Sequence, residues 1–296
     1  MISIDSTKCT KCGFCIDECP NFVFASTSTA GDGQEIEVQY PEHCCICGHC
    51  IAICPRSAIT HEEIPNNEFE DLLNAKIPPE DMRTILLSRR SIRAFSDKPV
   101  SQELVGQLIE MGVHAGTSSN SQTESFIIIQ DRKVLTELEH IVINVLWKAG
   151  LKYMGSGIGR RIARMKLGDE MTRQAVTYYH IIKDRRKNNQ LAGMIFRNAP
   201  IVIVCHGLRT NYMAHANCAT AARNMEIMAK AMGLGTCWVG FLSVAAHFSK
   251  KIAGYLGIPA DHNVYSAIMV GFPKHEYKKK IPRKDREVRW MWNAKG

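Results

Sequence analysis

Two runs of cysteine carry the most specific chemistry in the chain: Cys9, Cys12, Cys15 and Cys19 followed by Pro20, then Cys44, Cys47, Cys50 and Cys54 followed by Pro55. Thiolates are soft ligands, and each run offers three of them within one tight loop and a fourth just before a proline. A loop of that kind can wrap a compact iron-sulfur cube. Disulfides would suit a small secreted domain, and zinc sites use paired Cys-x2-Cys knuckles, so the third cysteine of each triplet favours iron-sulfur. So short a segment, with few large apolar side chains, buries too little surface to fold well alone, and bound clusters would form part of its core. Cys45 lies off the spacing and reads as a bystander thiol.

The two runs resemble those of bacterial two-cluster ferredoxins over residues 1 to 62. That resemblance implies two 4Fe-4S clusters in which the fourth cysteine of each run serves the other cluster. One ligand set is then Cys9, Cys12, Cys15 and Cys54, and the other is Cys44, Cys47, Cys50 and Cys19.

A second group of residues could hold an anion. Arg89-Arg90-Ser91-Ile92-Arg93 gathers guanidinium groups beside a hydroxyl, a pattern suited to charge-assisted hydrogen bonds with phosphate, although a solvated helix end has the same composition. Asn120 and Gln122 suit a turn, Gln130 a strand end and Lys133 a surface position.

Four segments in order give these residues a context. Arg89-Arg90-Ser91-Ile92-Arg93-Ala94-Phe95, Gly116-Thr117-Ser118-Ser119-Asn120-Ser121-Gln122, Gly233-Leu-Gly235-Thr-Cys-Trp238-Val-Gly240-Phe241, and Val270-Gly271-Phe-Pro273 with Ile281-Pro282-Arg283-Lys284 resemble the FMN-dependent nitroreductase family. The resemblance spans about residues 82 to 290. It implies FMN, with its phosphate held by Arg89, Arg90 and Ser91 and approached by Arg283 and Lys284. Arg93 or Lys133 would stabilise the charge of the reduced ring, Gln130 would meet its pyrimidine edge, and the amides near Val239 and Gly240 would face N5. Thr117, Ser118, Asn120 and Gln122 would reach the flavin from the partner subunit, which implies a homodimer. Gly116 stands where the family usually has proline. No Gly-x-Gly-x-x-Gly follows a strand, since Gly155, Gly157 and Gly159 have the wrong spacing.

The elements that must position these groups follow from apolar patterning. Residues 63–79 read as a linker with a possible short helix over 69–75, followed by a helix over about 80–87. Val100 and Ser101 supply an apolar lead-in and an N-cap for a helix over 102–113. Apolar runs at 125–130, 199–204 and 264–270 fit buried strands, separated by helices over about 133–147 and 212–232. The Ala- and Met-rich helix over 212–232 should lie in a core or dimer interface. The fold expected is α+β: a nitroreductase-like central sheet flanked by helices over 80–296, preceded by a small ferredoxin-like domain over 1–62.

Residues 147–190 carry eleven basic and three acidic side chains and read as a lid insertion. Its inner face would present Met165, Met171, Tyr178, Tyr179 and Ile182, and its basic outer face, Arg185, Arg186 and Lys187 included, would attract an acidic electron carrier.

The net charge of +8 over 296 residues is uneven. Residues 1–60 hold Lys8, Lys11 and Arg56 against seven acidic residues, a net of −4, so the remainder carries +12. No nucleic-acid motif accompanies the basic part, no apolar run spans a membrane, and the N-terminus lacks a secretory leader. Nine of the twelve cysteines lie before residue 55, leaving Cys205, Cys218 and Cys237 as buried thiols of a reducing, cytoplasmic compartment; His114 and His206 read as structural. The expected function is an FMN oxidoreductase whose ferredoxin domain feeds electrons to FMN for reduction of a nitroaromatic, a quinone or an activated alkene. External ferredoxin or NAD(P)H would be the donor. The alternative is a non-catalytic electron carrier or redox sensor with a closed flavin face.

Overall fold

The structure is a computed structural model describing residues 1–28, 34–72 and 76–291. It divides into two compact units, one of residues 1–76 with 116–123 and one of residues 77–115 with 124–296. The first therefore extends past the 1–62 expected from the cysteine runs.

In the first unit β1 (Ile2–Ile4), α1 (Phe14–Glu18), β2 (Phe24–Ser28), β3 (Gln34–Val38), α2 (His49–Ala52) and β4 (Ile59–His61) follow in order. β1 pairs antiparallel with β4, Ile4 opposite Ile59, and β2 pairs with β3, Phe24 opposite Val38. The halves repeat one backbone course. Lys11 and Ile46 have φ of 57° and 53°, Gly13 and Gly48 80° and 74°, and Phe22 and Ser57 55° and 47°. Left-handed backbone at three equivalent places, two of them on bulky residues, lets each loop turn its sulfurs inward. Ile2, Val23, Phe24, Ile51 and Ile59 form a small core against which cysteines and Phe69 pack. The helix expected over 69–75 is absent from residues 69–72, a 3-10 turn at Asn66–Glu68 precedes them, and 73–75 lie outside the described residues.

The second unit comprises α3 (Pro79–Ser88), α4 (Gln102–Val113), β5 (Ser125–Ile129), α5 (Arg132–Ala149), α6 (Gly157–Lys187), β6 (Ile201–Leu208), α7 (Ala214–Ala231), β7 (Gly235–Trp238), α8 (Gly240–Phe248), α9 (Lys251–Tyr255) and β8 (His262–Gly271). The sheet order is β5-β6-β8-β7, antiparallel throughout. Alternation along the strands explains its two covers. Ile201, Ile203, Ile268 and Val270 pack with Leu108, Ala222 and Met225 of α4 and α7. Val202, Val204, Ala267 and Met269 pack on the other face with Leu138, Val142, Leu242 and Ala245 of α5 and α8. Ser101 caps α4 by accepting from the Leu104 amide, and Asp131 caps α5 by accepting from those of Lys133 and Val134. The Ala-rich face of α7 lies in the core, as do Cys205, Cys218 and Cys237.

β7 is a strand where sequence patterning suggests only a loop. Its partners make it one: it pairs with β8, and the Ile92 amide donates to the Thr236 carbonyl at 2.8 Å. Gly235 permits this approach, because a Cβ there would stand 2.5 Å from Ile92. Gly168, at φ 78°, breaks α6 into two segments. Among the described residues no helix is long and apolar enough to cross a membrane.

Candidate functional site

The first unit sorts its cysteines around two spaces. Cys9, Cys12, Cys15 and Cys54 line one, together with Cys50. Cys19, Cys44, Cys47 and Cys50 line the other, together with Cys45, Ile46 and His61. Cys54 thus joins the three sulfurs of the first run and Cys19 those of the second, while Cys50 lines both spaces. The Val23 amide donates to Cys19 Sγ at 3.3 Å and the Ala58 amide to Cys54 Sγ at 3.3 Å, at equivalent places in the two halves. The second set receives more: the Ile46 amide donates to Cys44 Sγ at 3.4 Å, and His61 Nε2 lies 3.8 Å from the same sulfur. His61 Nδ1 accepts from the Glu63 amide at 3.1 Å, which leaves the ring proton on Nε2, facing sulfur.

Burial, then the neighbouring Cys47 and Cys44, push the Cys50 thiol up to about 12. Burial, then Cys12 and Cys9, also raise Cys15. Thiols that resist ionisation alone, clustered and offered N–H donors, suit a bound cationic metal group that reverses this penalty.

The loop at 117–122 belongs to the same unit. Asn120 Nδ2 donates to the carbonyls of Cys45 at 3.2 Å and Ile46 at 2.9 Å. Gln122 Nε2 donates to Asn120 Oδ1 at 2.9 Å, and the Gln122 amide to Thr117 Oγ1 at 3.2 Å. Ser118 opens the 3-10 turn Ser118–Asn120.

In the second unit Arg89 and Arg90 line a cavity of about 450 Å³ with Glu226, Lys230, Thr236 and His275. Glu226, 2% exposed, accepts from Arg89 Nη1 at 3.2 Å and Thr236 Oγ1 at 3.2 Å, while Arg223 Nη1 lies 3.4 Å from its second oxygen. Arg90 Nη1 donates to the carbonyls of Leu87 and Arg89. The Nε atoms of both arginines are buried without a partner. Buried guanidinium nitrogens left unpaired are costly unless an anion completes them, so the residues present fit a phosphate group.

The other expected contacts are more dispersed. Ser91 lies against the Cys237 thiol and bridges to Thr236 instead of lining the cavity. Arg93 is exposed, with Nη1 3.4 Å from the Ser91 carbonyl. The Val239 amide is spent in the sheet, donating to Ala267 O at 2.8 Å. Gly240 starts α8, where an amide has no intrahelical acceptor. Gln130 and Lys133 are exposed beyond β5, the sheet edge opposite β7, and Arg283 and Lys284 lie in an exposed tail.

Residues 147–190 pack partly as expected. Tyr178 meets Phe241 edge to face at 4.6 Å, Tyr179 stacks on Trp147 at 5.6 Å, and Ile182 is buried. Met165 and Met171 are exposed. Two of the three basic residues expected on the outer face are used internally. Arg186 sits 4.6 Å over the Trp147 ring and donates to Asn144 Oδ1 at 2.7 Å, and Arg185 donates to Gln190 O at 2.9 Å.

Residues 86–272 match the sequence profile of the nitroreductase family, well over half of the chain.

The chain belongs to the nitroreductase family.

Residues 1–55 match a 4Fe-4S dicluster domain, so the nitroreductase region follows a ferredoxin-like one. An Archaeoglobus fulgidus protein bearing the name NADH dehydrogenase/NAD(P)H nitroreductase is 22% identical over 200 residues, 67% of this chain and 88% of that protein. Ferredoxin-3 of Nostoc is 32% identical over 77 residues, 22% of this chain and 79% of its own length. A Bacteroides fragilis nitroreductase with bound FMN shares the fold at a TM-score of 0.54 and 19% identity, over 71% of this chain and 98% of that one. Family membership makes the protein an oxidoreductase.

Sequence reasoning missed Glu226 and Lys230. Their signal was present: Arg223, Glu226 and Lys230 are the sole Asp, Glu, Lys or Arg residues of α7, spaced three and four apart and hence on one face.

Proposed function

We propose that this nitroreductase-family protein binds two 4Fe-4S clusters and FMN in one chain, and passes electrons from the clusters to FMN for two-electron reduction of a small organic acceptor. The carrying observation is the crossing of the fourth cysteine: Cys54 lines the space of Cys9, Cys12 and Cys15, and Cys19 that of Cys44, Cys47 and Cys50. Cys9, Cys12, Cys15 and Cys54 would hold one cluster and Cys44, Cys47, Cys50 and Cys19 the other.

Arg89 and Arg90 would hold the FMN phosphate through the nitrogens left unpaired, with Glu226 fixing the Arg89 fork and Lys230 adding positive charge. Arg283 and Lys284 would close on it from the tail, and Ser91 would hold the strand-like segment through Thr236. Arg93, or Lys133, is the cation available to the reduced ring, Gln130 would meet its pyrimidine edge, and the Gly240 amide, more than that of Val239, is placed to meet N5. Bound FMN supplies the reaction itself, taking electrons singly and giving up two together.

The working unit is a homodimer, with Thr117 and Ser118 directed to the partner's flavin, while Asn120 and Gln122, expected there too, use their side-chain amides within the first unit. Ile158, Ile162 and Met165, exposed by 46–77% on one face of α6, give such a dimer an apolar face to cover. Acceptors are nitroaromatics, quinones or activated alkenes, the donor is a ferredoxin or NAD(P)H, and the compartment is the cytoplasm.

Anaerobic purification with iron, sulfide and flavin analysis tests this reading, followed by turnover with reduced ferredoxin or NAD(P)H against those acceptors. The expected result is two clusters and one FMN per chain, with acceptor reduction. A chain that binds flavin but no iron, or holds all three groups and turns over none of the acceptors, would overturn it.

A further inference from the structure

The two cysteine sets differ in what surrounds them, and the difference is concentrated at Ile46. This β-branched residue sits at φ 53°, an unfavourable conformation for its type. Its carbonyl accepts from Asn120 Nδ2 at 2.9 Å, and its amide donates to Cys44 Sγ at 3.4 Å. The Cys45 carbonyl accepts from the same Asn120 nitrogen at 3.2 Å. Asn120 is itself braced by Gln122. The equivalent residue of the other half, Lys11, has φ 57° but instead sends its ammonium to Glu35 at 2.8 Å. The amides of Ala58 on Cys54 and Ile16 on Cys15 in the first set match those of Val23 on Cys19 and Ile51 on Cys50 in the second, and to these the second set adds the Ile46 amide and His61 Nε2 on Cys44.

Hydrogen bonds to cluster sulfurs favour the reduced, more negative state and raise the potential. Asn120 lies within the span matching the nitroreductase family, although its loop packs in the first unit.

We propose that Asn120 is a positioning residue for the cluster of Cys19, Cys44, Cys47 and Cys50: by holding Ile46 it secures an N–H bond to the Cys44 sulfur and raises that cluster's potential above the other's. This rests on the reading that both clusters are bound. An electron shared by the two then resides on the set gripped by the nitroreductase segment. The exchange reduces one cluster by one electron and oxidises the other by one, with no bond made and no proton moved.

The test is an EPR-monitored redox titration of the holoprotein, with a Cys44→Ala variant identifying the second signal. The expected result is a higher potential for the second cluster. Asn120→Ala should lower it selectively by an amount equal to about a tenfold loss in electron affinity, or about 59 mV for a one-electron couple. Iron content and the first cluster's potential should be unchanged. Should Asn120→Ala lose iron, His61→Leu, which removes an independent donor to Cys44, should lower the same potential. The proposal is overturned if the second cluster has the lower potential in the unaltered protein, or if the variant carrying the test shifts both potentials or neither. Absence of clusters from the unaltered protein would instead refute the functional reading.

Discussion

Glu226 holds Arg89 at 3.2 Å with its own carboxylate almost wholly buried, and so fixes one edge of a guanidinium whose Nε is left for another partner. Arg89→Ala should release FMN and leave Glu226 with Arg223 and the Thr236 hydroxyl. Breaking a buried pair costs about 3–5 kcal/mol, and less here because Arg89 is 21% exposed. Arg89→Lys keeps the charge and loses the fork, so it should retain FMN more weakly than the unaltered protein and better than the alanine variant. Flavin absorbance after gel filtration and thermal unfolding of the apoprotein separate the two effects. Full FMN retention by Arg89→Ala would remove this cavity from the flavin site.

Exchange of the fourth cysteine predicts which cluster each variant damages. Cys54→Ala should disrupt the cluster of Cys9, Cys12 and Cys15, Cys19→Ala that of Cys44, Cys47 and Cys50, and Cys45→Ala neither. Iron content and EPR of the three variants decide it; damage from Cys45→Ala with an intact Cys54→Ala protein would reverse the assignment.

The stacking of Trp147 between Tyr179 and Arg186 makes this part of the basic segment structural. Arg186→Gln should lower the melting temperature by a few degrees, consistent with loss of about 1 kcal/mol of cation–π and hydrogen-bond energy. It should leave the salt dependence of reduction by external ferredoxin unchanged. Tyr178, against Phe241 beside Gly240, faces the other way functionally: Tyr178→Leu should alter the relative rates with quinone and nitroaromatic acceptors. Equal scaling of both rates would remove Tyr178 from the acceptor pocket.

His206 and His262 meet through their Nδ1 atoms at 2.9 Å. Burial, and then the facing His262, hold His206 below its ordinary value. The folded state therefore binds this proton less readily than the unfolded chain. The contribution is fully present above the unfolded value of about 6.5 and is lost as pH falls toward and through the folded one. Thermal stability should decline on acidification from about pH 7, and His206→Gln should flatten the decline. An equal slope in the variant would show that other groups carry it.

The two three-cysteine loops were legible because their information is local, in the spacing within each run, whereas the crossing of Cys19 and Cys54 was implied by the resemblance to two-cluster ferredoxins. The cap of α4 and the buried strands β5, β6 and β8 were legible for the same reason, through Ser101 and the apolar runs. Asn120 was not, since its carbonyl partners lie 74 and 75 residues away and an Asn in a short loop already suits a turn. Glu226 was legible in principle from the charged face of α7. The hairpin of β2 and β3 escaped notice because Phe24-Ala-Ser-Thr-Ser28 has only weak apolar alternation. β7 escaped because its glycine signals a loop until Ile92 and β8 are known to flank it.

The most direct test of the account is a rapid anaerobic reduction of the holoprotein by a low-potential one-electron donor, with cluster and flavin absorbance followed together. The clusters are expected to be reduced first and FMN then to bleach at a rate independent of protein concentration, with two electrons consumed per flavin. Cys19→Ala should abolish the second phase while leaving FMN bound. Reduced clusters beside flavin that stays oxidised, or bleaching whose rate rises with protein concentration, would contradict it.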